Sequence, residues 1–268
     1  MANTLIFGGS GKVARHITRL LAAEGHNVYS IIVRKRHNLK ITFMLTRVIQ
    51  RKPEQQDDVK SLGGKPILQS IEDSSVDDMV KTIKETKPST IIWAAGAGGG
   101  SPERTKAVDN EGAIKSMDAT AKAGLTKRYI IISAVDVRDR ENKPEPEWYN
   151  DGDRERSDKV WNAIGPYMRA KLTADTSLVT ENSRRGLDYT IVRPGGLSQD
   201  PATGKVAAGK VHLNNTIPRE DVAAFVIECM KNEGTKGLAI DVVGGETPIR
   251  DAVAAVVKER VDTFEGRY

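Results

Sequence analysis

A tyrosine and a lysine in the stretch GPYMRAK could move a proton to or from a carbonyl oxygen. Tyr167 and Lys171 stand four positions apart, and on a helix two such residues lie on one face. An ammonium group beside a phenol favours the phenolate, so we expect Lys171 to lower the pKa of Tyr167 towards neutral pH. Ser133, which ends the apolar run YIIIS, could hydrogen-bond the same substrate oxygen. A Tyr-x-x-x-Lys pair is also common on solvated helix faces, so its weight comes from its place after that strand.

A glycine-rich turn near the start of the chain is of the kind that holds a dinucleotide. TLIFGGSGKVARHITRLL reads as a strand, a turn and an amphipathic helix, with Ala14 as a further small residue. Glycines here permit a tight turn and let backbone N–H groups approach a pyrophosphate at the helix N-terminus. The position between the first strand and the first helix supports this interpretation over a purely structural turn. The predicted contacts are Gly8, Gly9, Ser10, Gly11, Lys12 and Val13.

The residues after the second predicted strand distinguish the two nicotinamide dinucleotides. In proteins that bind NAD, an acid at this place binds the ribose 2′-OH. No Asp or Glu follows Val28–Ile32 closely, whereas Arg34 does, and an arginine there suits the 2′-phosphate of NADP. NADP is therefore the favoured cofactor, with NAD as the alternative.

The elements that must position these residues alternate along the chain. Short apolar runs predict strands at 4–7, 28–32, 66–69, 90–95, 129–133, 188–192 and 238–243. Helical patterns lie between them, at 11–24, 74–86, 109–123, 167–183, 219–232 and 249–260. Such alternation predicts one α/β domain over residues 1–268, a doubly wound, Rossmann-like parallel sheet with helices on both faces. Small C-terminal elements and the loops 136–166 and 197–216 are expected on the substrate side.

These motifs together resemble the atypical short-chain dehydrogenase/reductase superfamily, and within it the fungal-type, NmrA-like NAD(P)-binding proteins. The resemblance covers essentially the whole chain and is carried by GGSGKVA, WAAGAGG, VDNEGAIKSMDATAKAGLTKRYIIIS and DYTIVRPGGL. It implies that Ser133, Tyr167 and Lys171 form the catalytic set, with Tyr167 and Lys171 also contacting the cofactor. It further implies cofactor contacts from Ala94, Ala95, Gly96, Asn110, Pro194, Gly195 and Gly196, with Asn110 supporting the loop after strand four or an active-site water.

Two departures from the family pattern affect the expected site. An Asp often ends strand three and contacts adenine, but here Ser70 stands in that place. Ser70 and Ile71 are therefore expected to contact the cofactor through the backbone. The stretch from Ser133 to Tyr167 is long and carries Trp148, Tyr149 and Trp161. It could form a lid or substrate wall, or equally a variable surface loop.

Composition narrows the class of protein. The 268 residues include one cysteine, Cys229, so an internal disulfide is excluded and a reducing compartment is expected. No signal peptide and no apolar run of membrane-spanning length are recognisable, so a cytoplasmic protein without a membrane partner is predicted. Recognition motifs for nucleic acid are absent, and no metal site is expected. The formal charge is +5, from 41 basic and 36 acidic residues.

One segment, Val33–Gln50, accounts for that charge. It carries five Lys/Arg and no Asp/Glu, so its removal leaves 36 of each sign. Three interpretations stay open: an amphipathic helix that docks on a membrane surface or partner, a surface insertion, and a translated intron. The third is favoured because valine codons begin GT, glutamine can be CAG, Leu45-Thr46 can encode the branch sequence CTAAC, and eighteen codons are in frame. Without the segment, Arg51 and Lys52 would follow the strand and bind the 2′-phosphate; with it, Arg34 and Lys35 would.

The chemistry predicted from these features is NADP-dependent oxidation or reduction of a small alcohol or carbonyl compound, with Tyr167 as acid or base. A cofactor-retaining epimerase or dehydratase is a related alternative. A non-catalytic NADP(H) sensor of NmrA-like type is a different class, and it would be expected to lack the Tyr–Lys pair. The protein is expected to act as a monomer or a homodimer.

Overall fold

The computed structural model describes residues 1–32, 53–98 and 101–268. The predicted insertion Val33–Gln50, and with it Arg34, Arg51 and Lys52, lies outside these residues. The strands are β1 Asn3–Phe7, β2 Asn27–Ile32, β3 Lys65–Leu68, β4 Thr90–Trp93, β5 Arg128–Ile132, β6 Asp188–Pro194, β7 Gly196–Ser198, β8 Lys205–Ala208, β9 Thr216–Pro218, β10 Leu238–Gly244 and β11 Thr247–Pro248. The seven predicted strands are thus confirmed, with ends displaced by one or two residues.

Helices connect most of these strands. They are α1 Lys12–Ala23, α2 Pro53–Ser61, α3 Val76–Thr86, α4 Pro102–Thr105, α5 Ala113–Ala123, α6 Asp151–Thr180, α7 Asn182–Arg185, α8 Arg219–Lys231 and α9 Ile249–Glu259. A π-helical turn, Lys106–Gly112, joins α4 to α5. Gly25, Gly124 and Gly186 follow helices with positive φ, as predicted for C-terminal caps.

The main sheet has the strand order β11-β8-β10-β6-β5-β4-β1-β2-β3. The strands from β10 to β3 are parallel, and β8 and β11 lie at one edge, where β8 runs antiparallel to both of its neighbours. The chain order reverses between β1 and β4, so a crevice opens there at the carboxyl ends of the strands. This topology confirms the predicted doubly wound, Rossmann-like α/β fold.

Both faces of the sheet are buried, which explains the continuous apolar strands. On β1, Leu5 and Phe7 pack into the layer that includes α3 and α5. Ile6 points the other way and packs with residues of α1 and α8. Adjacent side chains therefore enter opposite cores, as a pleated strand requires.

Helix α6 overturns one prediction. The loop expected over 136–166 is helical from Asp151 onward, in a helix of 30 residues. Asn150 and Asp153 form a capping box that fixes its start. Ile164 has non-helical angles (φ −132°, ψ 30°) and is followed by Gly165 and Pro166, which produce a kink. Tyr167 therefore lies in the first turn of the helical part that follows the kink, close to the predicted helix start, and a second helical part precedes it where the loop was expected.

Candidate active site

The glycine-rich turn has the shape that a pyrophosphate needs. Gly8 has φ 84°, and a Cβ at this position would lie 2.5 Å from the Ala95 Cα; a Cβ at Gly9 would lie 2.4 Å from the Ser30 Cβ. Gly11 precedes α1 without a side-chain cap, and the first turn of α1 contains no acid. Uncapped N–H groups at a helix N-terminus attract anions. The turn therefore fits the diphosphate of a nicotinamide dinucleotide.

A crevice runs from this turn to the predicted catalytic residues. It is lined by Gly11, Lys12, Val13, Ala94, Ala95, Gly96, Gly98, Asp109, Ile132, Ser133, Tyr167, Lys171, Pro194, Leu197 and Arg219. We call this the cofactor crevice. The turn after β1, the loop after β4, the end of β5 and helix α6 meet here because the parallel strands end at the same edge of the sheet. Ten of the predicted cofactor and catalytic residues, among them Ser133, Tyr167 and Lys171, thus line one crevice.

A second cavity, of about 240 Å³, adjoins the crevice. It is lined by Ser133, Ala134, Val135, Asp136, Arg156, Ser157, Val160, Ile164, Tyr167, Met168, Pro194, Gly195, Gly196, Leu197 and Leu213. We call it the substrate chamber. Ser133, Tyr167 and Pro194 line both cavities, so the predicted acid lies on their common wall.

Lys171 is held by buried oxygen atoms. Its Nζ donates to the Ile132 carbonyl at 3.1 Å and lies 3.2 Å from Oδ1 of Asp109. The same Nζ lies 5.6 Å from the centroid of the Tyr167 ring. Desolvation opposes the charge on Lys171, but the neighbouring Tyr167, Asp109 and Asp175 oxygens prevail and raise its pKa. The ammonium form of this buried side chain is therefore maintained.

The predicted lowering of the Tyr167 pKa is wrong. Loss of hydration is the largest effect on this half-buried phenol and raises its pKa. The Lys171 ammonium opposes that rise, whereas the negative charges of Asp109 and Asp175 add to it. The phenol consequently stays protonated at neutral pH and is prepared to donate a proton.

Ser133 has a partner that the sequence did not suggest. Its hydroxyl donates a short hydrogen bond to Oδ2 of Asp175, and both residues are buried. Burial is the main cause that raises the pKa of Asp175 to about 6. Because Ser133 has a single proton, it can only accept further hydrogen bonds while the Asp175 carboxylate is ionised.

The π-helical turn supplies another unpredicted acid. Asp109 is fully buried in it, and its Oδ2 accepts a hydrogen bond from the Ala97 N–H at 2.9 Å. This is the contact with the loop after β4 that was expected from Asn110. The Asn110 carbonyl instead accepts the N–H of Ala113. π-Turns often occur at functional sites, and this one places a carboxylate against Lys171.

The side chains of two residues predicted to contact the cofactor through the backbone, Ser70 and Ile71, contact the protein itself. The Ser70 hydroxyl bonds to Asp73 at 3.0 Å, and Ile71 is buried in the core. Of the missed acids, Asp175 had a recognisable signal, since it continues the i, i+4 series of Tyr167 and Lys171 along one helix face. Asp109 had none, because its position depends on the π-turn.

The fold and the crevice define a Rossmann-type protein built to hold a nicotinamide dinucleotide. A family model described as NAD(P)H-binding matches residues 42–233. The chain therefore belongs to the NAD(P)H-binding family, which confirms the predicted NmrA-like resemblance and places it in an oxidoreductase and epimerase-like group.

Similar proteins match from about three quarters to nearly all of the chain. UPF0659 protein C216.03 of Schizosaccharomyces pombe is 37% identical over 254 residues, which cover 94% of this chain and 94% of that protein. The Bacillus subtilis protein named "uncharacterized sugar epimerase YhfK" is 36% identical over 209 residues, covering 77% and 86%. A structure from Bacillus halodurans, provisionally named an NAD-dependent epimerase/dehydratase, superposes with a TM-score of 0.72 at 27% identity and covers 95% and 100%.

The described residues contain neither a membrane-spanning helix nor a metal-binding cluster. Within 1–32, 53–98 and 101–268, no helix has the length and apolar character needed to cross a bilayer. The same ranges contain no group of three or more His, Cys, Asp or Glu residues placed to bind a metal ion.

Proposed function

We propose that the protein is an NADP-dependent oxidoreductase of the atypical short-chain dehydrogenase/reductase type. It reduces a small carbonyl compound, or oxidises the matching alcohol, with Tyr167 as acid or base. One observation carries the proposal: Tyr167 and Ser133 lie on the wall between the cofactor crevice and the substrate chamber. A carbonyl group in the chamber would reach both the phenol and a cofactor in the crevice.

The residues of the chain have distinct tasks in this reaction. NADPH, when bound, supplies the hydride. Tyr167 donates its proton to the carbonyl oxygen, and its raised pKa keeps that proton available at neutral pH. Lys171, fixed by Asp109 and the Ile132 carbonyl, stabilises the phenolate that remains. Ser133 can donate a second hydrogen bond to the substrate oxygen when Asp175 carries a proton.

The preference for NADP rests on the sequence after β2. No acid follows Ile32 closely, and Arg34, or Arg51 and Lys52, would meet the 2′-phosphate. In the described part of the chain, Lys12 adds a cation at the crevice. A lower KM for NADPH than for NADH is the expected result, and equal or reversed values would count against NADP.

The activity can be tested with purified protein and a panel of aldehydes and ketones. NADPH oxidation should follow addition of at least one of them, and Tyr167→Phe should lower kcat/KM by about 10²–10⁴-fold. The variant should still bind NADPH, as measured by nucleotide fluorescence. Tyr189→Phe is the matched control, because Tyr189 lies near the amino-terminal end of β6, whereas the crevice lies at the carboxyl ends of the strands.

A cofactor-retaining epimerase or dehydratase is a second candidate, favoured by the names of two similar proteins. Such an enzyme would copurify with bound nucleotide and would convert substrate without net NADPH oxidation. A cofactor sensor is the third outcome of the same assay. It would bind NADPH tightly, show no turnover with any substrate, and be unaffected by Tyr167→Phe.

A further inference from the structure

Arg156 presents a charge at the substrate chamber that no acid neutralises. Its exposed side chain lines the chamber, and a methyl group added at Gly196 would lie 3.7 Å from its Nη2. The guanidinium therefore lies beside the turn that follows β6. Within the described ranges, Arg156 makes no ion pair and no side-chain hydrogen bond.

The surroundings of Arg156 on α6 explain why it stays unpaired. Among the residues three or four positions away, the only acid is Asp153. Both oxygens of Asp153 are already occupied, since Oδ1 accepts the Leu213 N–H at 2.7 Å and Oδ2 lies 2.6 Å from Nδ1 of His212. By contrast, Arg154 pairs with Asp151 at 2.7 Å.

The acid among the chamber residues, Asp136, is also unavailable to Arg156. Oδ1 of Asp136 accepts from Arg138 at 2.8 Å, and its Oδ2 accepts from Ser157 at 2.6 Å and from the Trp161 indole at 3.0 Å. A carboxylate with both oxygens bonded and a buried arginine beside it adds little net charge to the cavity. The electrostatic character of the chamber is therefore set by Arg156.

Apolar side chains form most of the remaining wall. Val135, Val160, Met168 and Leu213 line the chamber. Ile164 and Leu197 do so too, and they are two of the five large apolar side chains exposed in the described residues. Exposed apolar side chains beside a cavity commonly mark a ligand site. The chamber offers few hydrogen-bonding groups to a polyhydroxylated sugar.

We propose that the substrate is a carbonyl compound with an apolar body and a carboxylate, and that Arg156 binds this carboxylate. The inference rests on the proposed function, since it takes the chamber as the place where the substrate binds. Arginine presents a planar fork of donors that matches a carboxylate. The substrate, and not the cofactor, is the assigned anion, because Arg156 lines the chamber and is not among the residues of the crevice.

Binding of two unreactive probes tests the assignment without turnover. 4-tert-Butylbenzoate and 4-tert-butylbenzamide share shape and size but differ in charge. Titration calorimetry with NADPH-saturated protein should show the acid binding at least about tenfold more tightly than the amide. Arg156→Gln should bring the two affinities together. Arg250→Gln, the same change at an exposed arginine of α9 that does not line the chamber, should keep the wild-type ratio.

Several results would overturn the assignment. These are equal affinities for acid and amide in the wild-type protein, a ratio that survives in Arg156→Gln, or no binding of either compound. Failure of the proposed oxidoreductase function would be seen elsewhere, as an absence of NADPH oxidation across the carbonyl panel. An acid preference that depends on Arg156 would stand even then.

Discussion

Asp175→Asn should stabilise the folded protein increasingly as the pH rises. The Asp175 carboxyl is completely buried, and its Oδ1 has no hydrogen-bond partner in the described structure. Burial, only partly offset by the Ser133 hydroxyl and by Arg193 and Lys171, raises the pKa of Asp175 from 3.8 to about 6. Asparagine keeps the shape of the side chain and cannot ionise.

The sign and size of the effect follow from proton linkage. The folded state binds this proton more tightly than the unfolded state, so its contribution to stability is present below pH 4 and lost as the pH rises through about 6. The loss approaches about 3 kcal/mol in total, of which about 2 kcal/mol falls between pH 4 and pH 8. The Asp175→Asn variant does not share this loss.

Urea denaturation of both proteins at several pH values gives the required measurement. The unfolding free energy of Asp175→Asn minus that of the wild type should increase by about 2 kcal/mol between pH 4 and pH 8. Asp251→Asn, on the exposed surface of α9, is the control and should change little. A difference that stays flat, or that decreases with pH, would refute the argument that a buried charge at Asp175 lowers stability.

The same substitution separates a catalytic effect from a structural one. In the wild-type protein, ionised Asp175 accepts the hydrogen bond from the Ser133 hydroxyl, so this hydroxyl cannot also donate to the substrate. We therefore expect kcat/KM for carbonyl reduction to fall as the pH rises through about 6. In Asp175→Asn, the amide N–H can donate to Ser133 and leave the serine proton for the substrate. The variant should therefore lose this step in its pH profile, whereas a purely structural role would leave the step in place.

Three further predictions concern other parts of the molecule. Gly9→Ala places a Cβ 2.4 Å from the Ser30 Cβ; it should lower the unfolding free energy by about 1–3 kcal/mol and weaken NADPH binding, and unchanged nucleotide affinity would contradict the role of the turn. Arg193→Leu removes the buried guanidinium that lies 3.1 Å from Asp241 and should lower the unfolding free energy by about 3–5 kcal/mol. The loss should be smaller at pH 5 than at pH 8, because the pKa of Asp241 is raised to about 6, and denaturation at both pH values tests this. Sequencing of the transcript should show that the eighteen codons of Val33–Gln50 are removed from the major mRNA, and their retention would end the intron hypothesis.

The fold could be predicted where local patterns decide it. Continuous apolar runs marked the strands of the parallel sheet, and the turn around Gly9 marked the cofactor edge. The helix over Asp151–Ala163 was not predicted, because this segment has many polar residues and is followed by Gly165-Pro166. Both features hide the apolar spacing by which a helix is recognised. Its true start was encoded in the Asn150–Asp153 capping box.

The positions of Tyr167 and Lys171 were predictable from the sequence, but the electrostatics around them were not. The spacing of Tyr167 and Lys171 survives in the helix, yet the pKa of Tyr167 is raised because its loss of hydration outweighs the nearby ammonium. Burial and the approach of Asp109 and Asp175 depend on tertiary packing, which no local spacing records.

The length of the connection from β2 to α2, by contrast, can be read directly from the sequence. Twenty residues separate Ile32 from Pro53, and two would remain without Val33–Gln50, a usual length for such a connection.

The kink at Ile164 divides α6 into two parts that contribute different residues to the candidate site. The part before it carries Arg156 and Val160 on the chamber wall, whereas the part after it carries Tyr167 and Lys171. On the proposed function, changes in the first part would alter which molecule the chamber accepts while Tyr167 and Lys171 keep their positions. Because the two parts can change independently, substitutions in the one and a half helical turns around Arg156 would be enough for the protein to accept a new substrate.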